Sequence, residues 1–142
     1  MTLQVSLVVP EGEVWAGPAG MVIAKTQDGD IGVLTGHSPV LGILVEGSLV
    51  RIVPEDAADG AAEGSAVVAA VNGGFFSVAD DRISVLAREA QLGGDVDTSA
   101  ARAALDEALQ NAEASAEGDE ESSDVRYFRA LLRAAGEPAD GA

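Results

Sequence analysis

The 142 residues include 24 acidic and 8 basic side chains, which gives a net charge of −16 at pH 7. Since nucleic-acid binding depends on neutralising phosphates with Lys and Arg, this balance argues against a nucleic-acid partner. The sequence contains no cysteine, which excludes disulfides, thiolate metal sites and cysteine nucleophiles. It shows neither a basic, apolar leader nor a run of ~18 apolar residues, so we expect no signal peptide and no membrane span.

Short apolar runs separated by glycine-containing turns fill residues 1–93. The first run, residues 3–9, alternates apolar and polar side chains with the period of two that is typical of a half-buried strand. Regularly spaced short strands of this kind favour a sandwich or barrel. The sequence therefore predicts an all-β sandwich with strands near residues 3–9, 14–17, 21–26, 31–34, 40–45, 49–53, 66–71, 75–78 and 83–92.

Several turns are predicted from dipeptides that favour left-handed or tight backbone conformations. Asp28-Gly29 and Asp80-Asp81 read as hairpin turns, and Glu46-Gly47 separates two strands. Asn72-Gly73 is the strongest short hairpin signal in the chain, and it predicts a turn between strands 66–71 and 75–78. Residues 55–65 carry no large apolar side chain, so we expect an exposed, mobile hairpin loop there.

The composition changes after Gly93-Gly94, which we interpret as a linker. Residues 98–117 are rich in helix formers, and Asp97 or Thr98 can cap this helix. A break at residues 118–123 precedes a second helix over 124–135, with apolar side chains on one face. The predicted fold class is therefore α+β, with a β-sandwich at 1–93 and a helical hairpin at 94–142.

The second predicted helix carries three of the eight basic residues. Arg126, Arg129 and Arg133 fall within about 60° of one another around the helix axis, opposite the apolar face. Two interpretations stay open from the residues alone. Either the arginines form a solvated face whose charge complements the helix C-terminus, or they contact an acidic surface of a partner.

The motifs that support catalysis or cofactor binding are missing. His37 is the only histidine, and no serine elbow, phosphate-binding loop or dinucleotide fingerprint accompanies it. The carboxylate pairs Asp28/Asp30 and Asp80/Asp81 lie at turn positions, where Asp bonds its own backbone. We therefore expect a non-enzymatic chain with no metal site and no cofactor, in which His37 is a turn or interface residue.

Five segments, in this order, resemble the epsilon subunit of the F-type ATP synthase, in a form like that of actinobacterial members. They extend over nearly all of residues 5–92. The usual Pro-Gly-His of the family reads Thr35-Gly36-His37 here. The segments are residues 10–17 (PEGEVWAG), 29–34 (GDIGVL), 36–41 (GHSPVL), 47–52 (GSLVRI), and 72–78 (NGGFFSV) taken together with 82–86 (RISVL).

The resemblance implies a non-catalytic rotor subunit of a proton-translocating ATP synthase. In the family the sandwich packs on the gamma subunit and stands on the polar loops of the c-ring, and Asp30 and His37 match the positions that face the ring. A carboxylate there can accept charge-assisted hydrogen bonds from such loops. The resemblance also implies a peripheral location at the cytoplasmic face of the cell membrane, with membrane contact only through the complex.

The resemblance further implies a regulatory role for the two helices. In many members the helices extend along gamma toward the alpha and beta subunits and brake ATP hydrolysis, and Arg126, Arg129 and Arg133 would meet an acidic segment of beta. Some members bind ATP where this chain has Ala100 in place of an arginine, so we expect no ATP binding here. The alternative from another class is a free-standing β-sandwich binding module with an acidic tail.

Overall fold

The computed structural model describes residues 2–54, 66–115 and 123–136. The predicted loop at 55–65 and the predicted helix break at 118–123 lie wholly or largely outside these residues. The α+β class is confirmed, with an N-terminal β-sandwich followed by two helices. The elements are β1 (Leu3–Val9), β2 (Gly12–Ala19), β3 (Met21–Thr26), β4 (Gly29–Leu34), β5 (Val40–Val53), β6 (Val67–Ala79), β7 (Arg82–Ala87), β8 (Ala90–Leu92), a 3-10 turn (Gly93–Asp95), α1 (Thr98–Ser115) and α2 (Ser123–Ala134).

The strands form one sheet in the order β2-β1-β7-β6-β5-β3-β4, and β8 pairs with β6 outside this path. All neighbouring strands are antiparallel except β1 and β7, which run parallel. The sheet folds over on itself, so alternate side chains of the strands face each other in a dry core. Phe76, Leu3, Leu7 and Leu44 are among the largest fully buried side chains of this core.

Two long strands differ from the prediction, since each was expected to be two strands joined by a turn. The Asn72-Gly73 hairpin prediction was wrong, because β6 continues through it and pairs with β5 on both sides. Gly73 and Gly74 have φ of 77° and 128°, so they bend the strand without reversing it. Glu46-Gly47 likewise forms an irregularity inside β5, where Gly47 has φ of 69°. Positive φ serves a bulge as well as a hairpin turn.

The hairpins predicted at Asp28-Gly29 and Asp80-Asp81 are confirmed, since they join β3 to β4 and β6 to β7. Asp80 and Asp81 both adopt positive φ, of 52° and 60°. Aspartate tolerates this conformation better than most residues because its side chain bonds locally. These two turns therefore fix where β3 and β6 end and where β4 and β7 begin, as the sequence predicts.

The helices pack on the outside of the sandwich and form a second apolar cluster. Asp97 caps α1, because its Oδ1 accepts a hydrogen bond of 3.1 Å from the Ala100 N–H. Val125, Leu131 and Leu132 of α2 are buried against Ala70 of β6 and against α1, whose predicted apolar stripe supplies Ala101 and Leu105. No helix in the described ranges is long and apolar enough to cross a membrane.

Candidate interaction surfaces

Of the three arginines of α2, Arg126 and Arg133 are exposed and Arg129 is half-buried. Arg126, Arg129 and Arg133 line a groove of about 420 Å³ between α2 and the strands β3, β4 and β5. On the sheet side the groove is lined by Lys25, Asp30 and Arg51, among others. The sequence placed these side chains on the correct helix face, but only the packing of α2 brings them opposite the sheet.

Glu46 connects α2 to the sheet. Its Oε1 lies 2.8 Å from Arg88 Nη2, and its Oε2 lies 3.6 Å from Arg126 Nη2. These groups are partly exposed, so each pair contributes at most ~1 kcal/mol to stability. Next to Glu46, Gly47 leaves room for the helix, because a Cβ at position 47 would overlap the backbone of Arg126.

Gly93 provides the second close contact with α2. It was expected to be part of a linker, but it lies in the 3-10 turn, where a Cβ would overlap the carbonyl oxygen of Ala134. Gly47 and Gly93 thus contact α2 near its two ends. Sequence reasoning missed both contacts, because a glycine that makes room for a helix is indistinguishable from a glycine in a turn.

Asp30 and His37 lie at opposite ends of one strand. Asp30 is exposed near the start of β4. It stands opposite Lys25 in the register of β3 and β4, and it lines the groove beside the α2 arginines. His37 follows the end of β4, and its Nδ1 lies 2.7 Å from the Ser38 carbonyl oxygen. Four residues of strand between Asp30 and Leu34 measure ~13 Å. The two predicted contact residues are therefore on one edge but are not adjacent.

Asp81 stabilises the turn at residues 34–37, which carries His37; we call this turn the His37 corner. Its Oδ1 accepts a hydrogen bond of 2.6 Å from the Gly36 N–H, across 45 residues of sequence. The His37 N–H donates to the Leu34 carbonyl oxygen at 3.2 Å, which closes the same corner. Sequence reasoning identified Asp81 only as a turn residue. Its long-range bond had no signal in the pattern, because it depends on how β4 and the β6–β7 turn meet.

An exposed apolar row crosses the middle of the sheet. Ile43, Phe75 and Leu86 stand directly opposite one another on β5, β6 and β7, so they share one face. They are 49%, 52% and 49% exposed, and Leu41, on the same face of β5, is 72% exposed. Exposed apolar groups that adjoin in this way are typical of a protein–protein contact. We call these four residues the apolar row; the near-continuous apolar runs in the sequence were its only signal.

Tyr127 is buried on α2 with 8% of its surface exposed. Burial, followed by the charge of Glu89, raises the pKa of Tyr127 to about 12. Both causes favour the neutral phenol. Its ionisation therefore reports whether α2 lies against the sandwich.

The described residues contain no cluster of three or more His, Asp or Glu side chains with the spacing of a metal site. At the start of α1, Asp97 is engaged in capping. A shallow hollow of about 400 Å³ there is lined by Thr98, Ser99, Arg102, Ala103 and Asp106.

Comparison with known proteins identifies the family. The model of the family "ATP synthase, Delta/Epsilon chain, beta-sandwich domain" matches residues 2–93. An ATP synthase epsilon chain of Thermobifida fusca is 49% identical over 135 residues, which cover 94% of this chain and 91% of the relative. One of Streptomyces griseus is 42% identical over 131 residues, covering 92% and 97%.

Among solved structures, the fold is similar to a chain of the Euglena gracilis mitochondrial ATP synthase OSCP/F1/c-ring assembly, with a TM-score of 0.64 and 19% identity. The match covers 99% of this chain and 78% of the other. A chain of the Tetrahymena thermophila mitochondrial ATP synthase central stalk and c-ring gives 0.54 at 17% identity, over 90% and 94% of the two chains. The sequence matches confirm the resemblance drawn from the motifs: the chain belongs to the ATP synthase epsilon chain family.

Proposed function

We propose that the chain is a non-catalytic subunit of the ATP synthase central stalk, where it transmits c-ring rotation to the catalytic head. The observation that carries this proposal is the 49% identity to an ATP synthase epsilon chain, which covers the sandwich and extends through most of the helical part. The sandwich also provides two separate surfaces, the apolar row and the β4 edge. A coupling subunit needs two such surfaces because it must hold two partners at once.

The apolar row is the surface that we assign to the gamma subunit. Its four side chains lie on one face of β5, β6 and β7, a rigid platform that changes little on binding. If gamma covers the exposed part of each side chain, about half of it, the row supplies the apolar centre that stable interfaces share. None of the four residues contacts the groove under α2, so this surface is available while the helices stay packed.

Asp30 and the His37 corner are assigned to the polar loops of the c-ring. Asp30 is exposed, and the corner is held rigid by Asp81. A carboxylate accepts charge-assisted hydrogen bonds from Arg or amide groups of such loops. In this arrangement the chain is peripheral at the cytoplasmic face of the cell membrane, and the ring translocates protons.

The arginines of α2 are assigned to an acidic segment of a beta subunit, reached when the helices extend. In the packed arrangement Arg126 faces Glu46 and all three arginines line the groove, so they are directed at the sheet. Extension would release them, and an 18-residue helix such as α1 measures ~27 Å. The packed arrangement is therefore the state that leaves ATP hydrolysis unrestrained.

A binding experiment with purified gamma subunit tests the assignment. Phe75→Glu places a charge at the centre of the apolar row, and we expect it to weaken gamma binding at least ~tenfold. Leu34→Glu is the matched control, since Leu34 is 58% exposed but lies on β4, outside the row. Equal weakening by both variants would contradict the assignment of the row. Failure of the unaltered chain to bind gamma would contradict the subunit role and favour a free-standing binding module.

A further inference from the structure

Arg88 lies at the border of the apolar row. It follows the last residue of β7, and its N–H donates to the Gly73 carbonyl oxygen at 3.3 Å, so the chain still runs beside β6 there. Leu86 of the row lies two residues earlier, ~7 Å away along the strand. The side chain of Arg88 is 63% exposed. A partner that covers Leu86 and Phe75 therefore comes within contact distance of this guanidinium.

The guanidinium of Arg88 is held in place by neighbouring strands. Its Nε donates to the Asn72 carbonyl oxygen at 3.3 Å, and its Nη2 donates to Glu46 Oε1 at 2.8 Å. To reach both acceptors the side chain crosses β6 at Gly73, where a Cβ would lie only 2.9 Å from Nη2 and 3.1 Å from Nε. We call Glu46, Asn72 and Gly73 the Arg88 cradle. The Asn72-Gly73 pair that was expected to turn the chain instead lets an arginine cross a strand.

The held guanidinium keeps donors for a partner. An arginine side chain has five N–H donors, and the cradle engages two of them, which leaves three. When a partner covers the row, these N–H groups lose their water, and a donor that is buried without an acceptor costs its full desolvation free energy. The partner therefore has to place an acceptor opposite Arg88. Since the cradle already orders the side chain, little further entropy is lost when the contact forms.

We propose that Arg88 is a specificity-determining residue of the gamma contact, where it binds a carboxylate that gamma presents at the edge of the apolar row. The two oxygens of a carboxylate match the paired donors of a guanidinium, and the charge strengthens both hydrogen bonds. Arginine and aromatic side chains are also the residues that most often dominate the binding free energy of an interface, and here Arg88 borders Phe75. This inference rests on the proposed function, since it takes the apolar row as the gamma surface.

The test measures binding of purified gamma to the full-length chain at low and at high salt. Arg88→Gln should weaken binding about tenfold, and by a smaller factor at high salt, where charge-assisted contacts are screened. Arg88→Lys should restore only part of the loss, because an ammonium group keeps the charge without the planar fork. Lys25→Gln is the charge-matched control: Lys25 is exposed on β3, beyond β5 from the row, and this variant should bind like the parent chain.

The outcomes separate this inference from the proposed function. If the parent chain does not bind gamma, both fail. If Phe75→Glu weakens binding and Arg88→Gln does not, only the role of Arg88 is overturned. Equal losses in Arg88→Gln and Lys25→Gln would reduce the effect to general attraction and overturn it as well. A loss that is independent of salt would overturn the carboxylate, and full affinity in Arg88→Lys would overturn the paired geometry.

Gly73→Ala tests the cradle, because the added Cβ should displace the guanidinium while its charge remains. We expect weaker gamma binding in this variant. Gly36→Ala is the control, since Gly36 has a φ of 82° against 77° for Gly73 but open space at its Cβ position, and it should bind gamma like the parent chain. Adding Arg88→Gln to Gly73→Ala should cause little further loss, because both changes act through one guanidinium. Additive losses would overturn the positioning role of the cradle.

Discussion

Tyr127 is the only tyrosine of the chain, so its ionisation can be followed without interference from another phenol. With its pKa raised to about 12 by burial and by Glu89, we expect half-ionisation near pH 12 in the native chain. In urea the value should return to the ordinary ~10. Absorbance at 295 nm measures both titrations. A native pKa near 10 would mean that α2 does not hold Tyr127 against the sandwich in solution.

The same shift links stability to pH with a definite sign. Because the native pKa lies above the unfolded value, the native state holds the proton more tightly. The resulting stability is fully present below pH ~10 and is lost as pH rises toward 12. Urea unfolding at pH 9 and at pH 11 should therefore show a decrease in the parent chain. The decrease should be smaller in Tyr127→Phe, which has no ionisable phenol.

Asp81 provides a second prediction for a single residue. Asp81→Gly removes the carboxylate that accepts the Gly36 N–H, while glycine accepts the positive φ of the turn without strain. Loss of this bond should speed hydrogen exchange at the Gly36 amide about tenfold. Asp80→Gly is the matched control, because Asp80 has a similar φ of 52° in the same turn. Equal exchange rates in the two variants would contradict a positioning role for Asp81.

Among the elements of the fold, α2 packs so closely on the sandwich that one added Cβ atom at a contacting glycine would overlap its backbone. Gly47→Ala would place a Cβ into the Arg126 backbone and should displace the N-terminal half of α2. We expect the pKa of Tyr127 to fall toward 10 as the helix moves away, which the 295 nm titration detects.

Gly36→Ala is the control for this prediction. Gly36 has a comparable φ of 82°, but open space surrounds its Cβ position, so the variant carries only the ~1–2 kcal/mol cost of left-handed backbone. An unchanged Tyr127 pKa in Gly47→Ala would show that the helix adjusts to the extra methyl group. The comparison thus separates backbone strain from loss of helix docking.

At the scale of the whole molecule, the sandwich core is independent of the helices. Among the residues whose burial the structure describes, the buried members of that core lie between Leu3 and Ala87, and none comes from α1 or α2. Deletion of residues 94–142 should therefore leave a folded sandwich that still assembles with gamma. If the helices act as a brake, ATP hydrolysis by the assembled complex should rise. Unchanged hydrolysis would contradict the inhibitory role.

A full-length variant tests the brake without removing the helices. Replacing Arg126, Arg129 and Arg133 with Gln keeps the apolar face of α2, because Val125, Leu131 and Leu132 make the buried contacts. We expect hydrolysis to rise as in the deletion, since the charges that would meet beta are gone. A rise in the deletion alone would assign the brake to the bulk of the helices instead of the arginines.

The sequence alone was sufficient to predict the class of the fold. Period-two alternation before residue 93 and a helical period after it follow from local geometry, which a linear pattern records directly. Asp28-Gly29, Asp80-Asp81 and the Asp97 cap were readable for the same reason, because each acts within a few residues. The motif order was likewise enough to identify the family.

Only the tertiary structure decided which distant residues meet. Asn72-Gly73 bends β6 because its strand pairs with β5 on both sides, and a positive φ alone does not distinguish a bend from a turn. Asp81 reaches Gly36, and Glu46 meets Arg126, only after the strands are ordered and α2 is docked. A sequence pattern records which face a side chain occupies; what lies opposite that face depends on strand order, register and helix position, which are set by packing across the whole molecule.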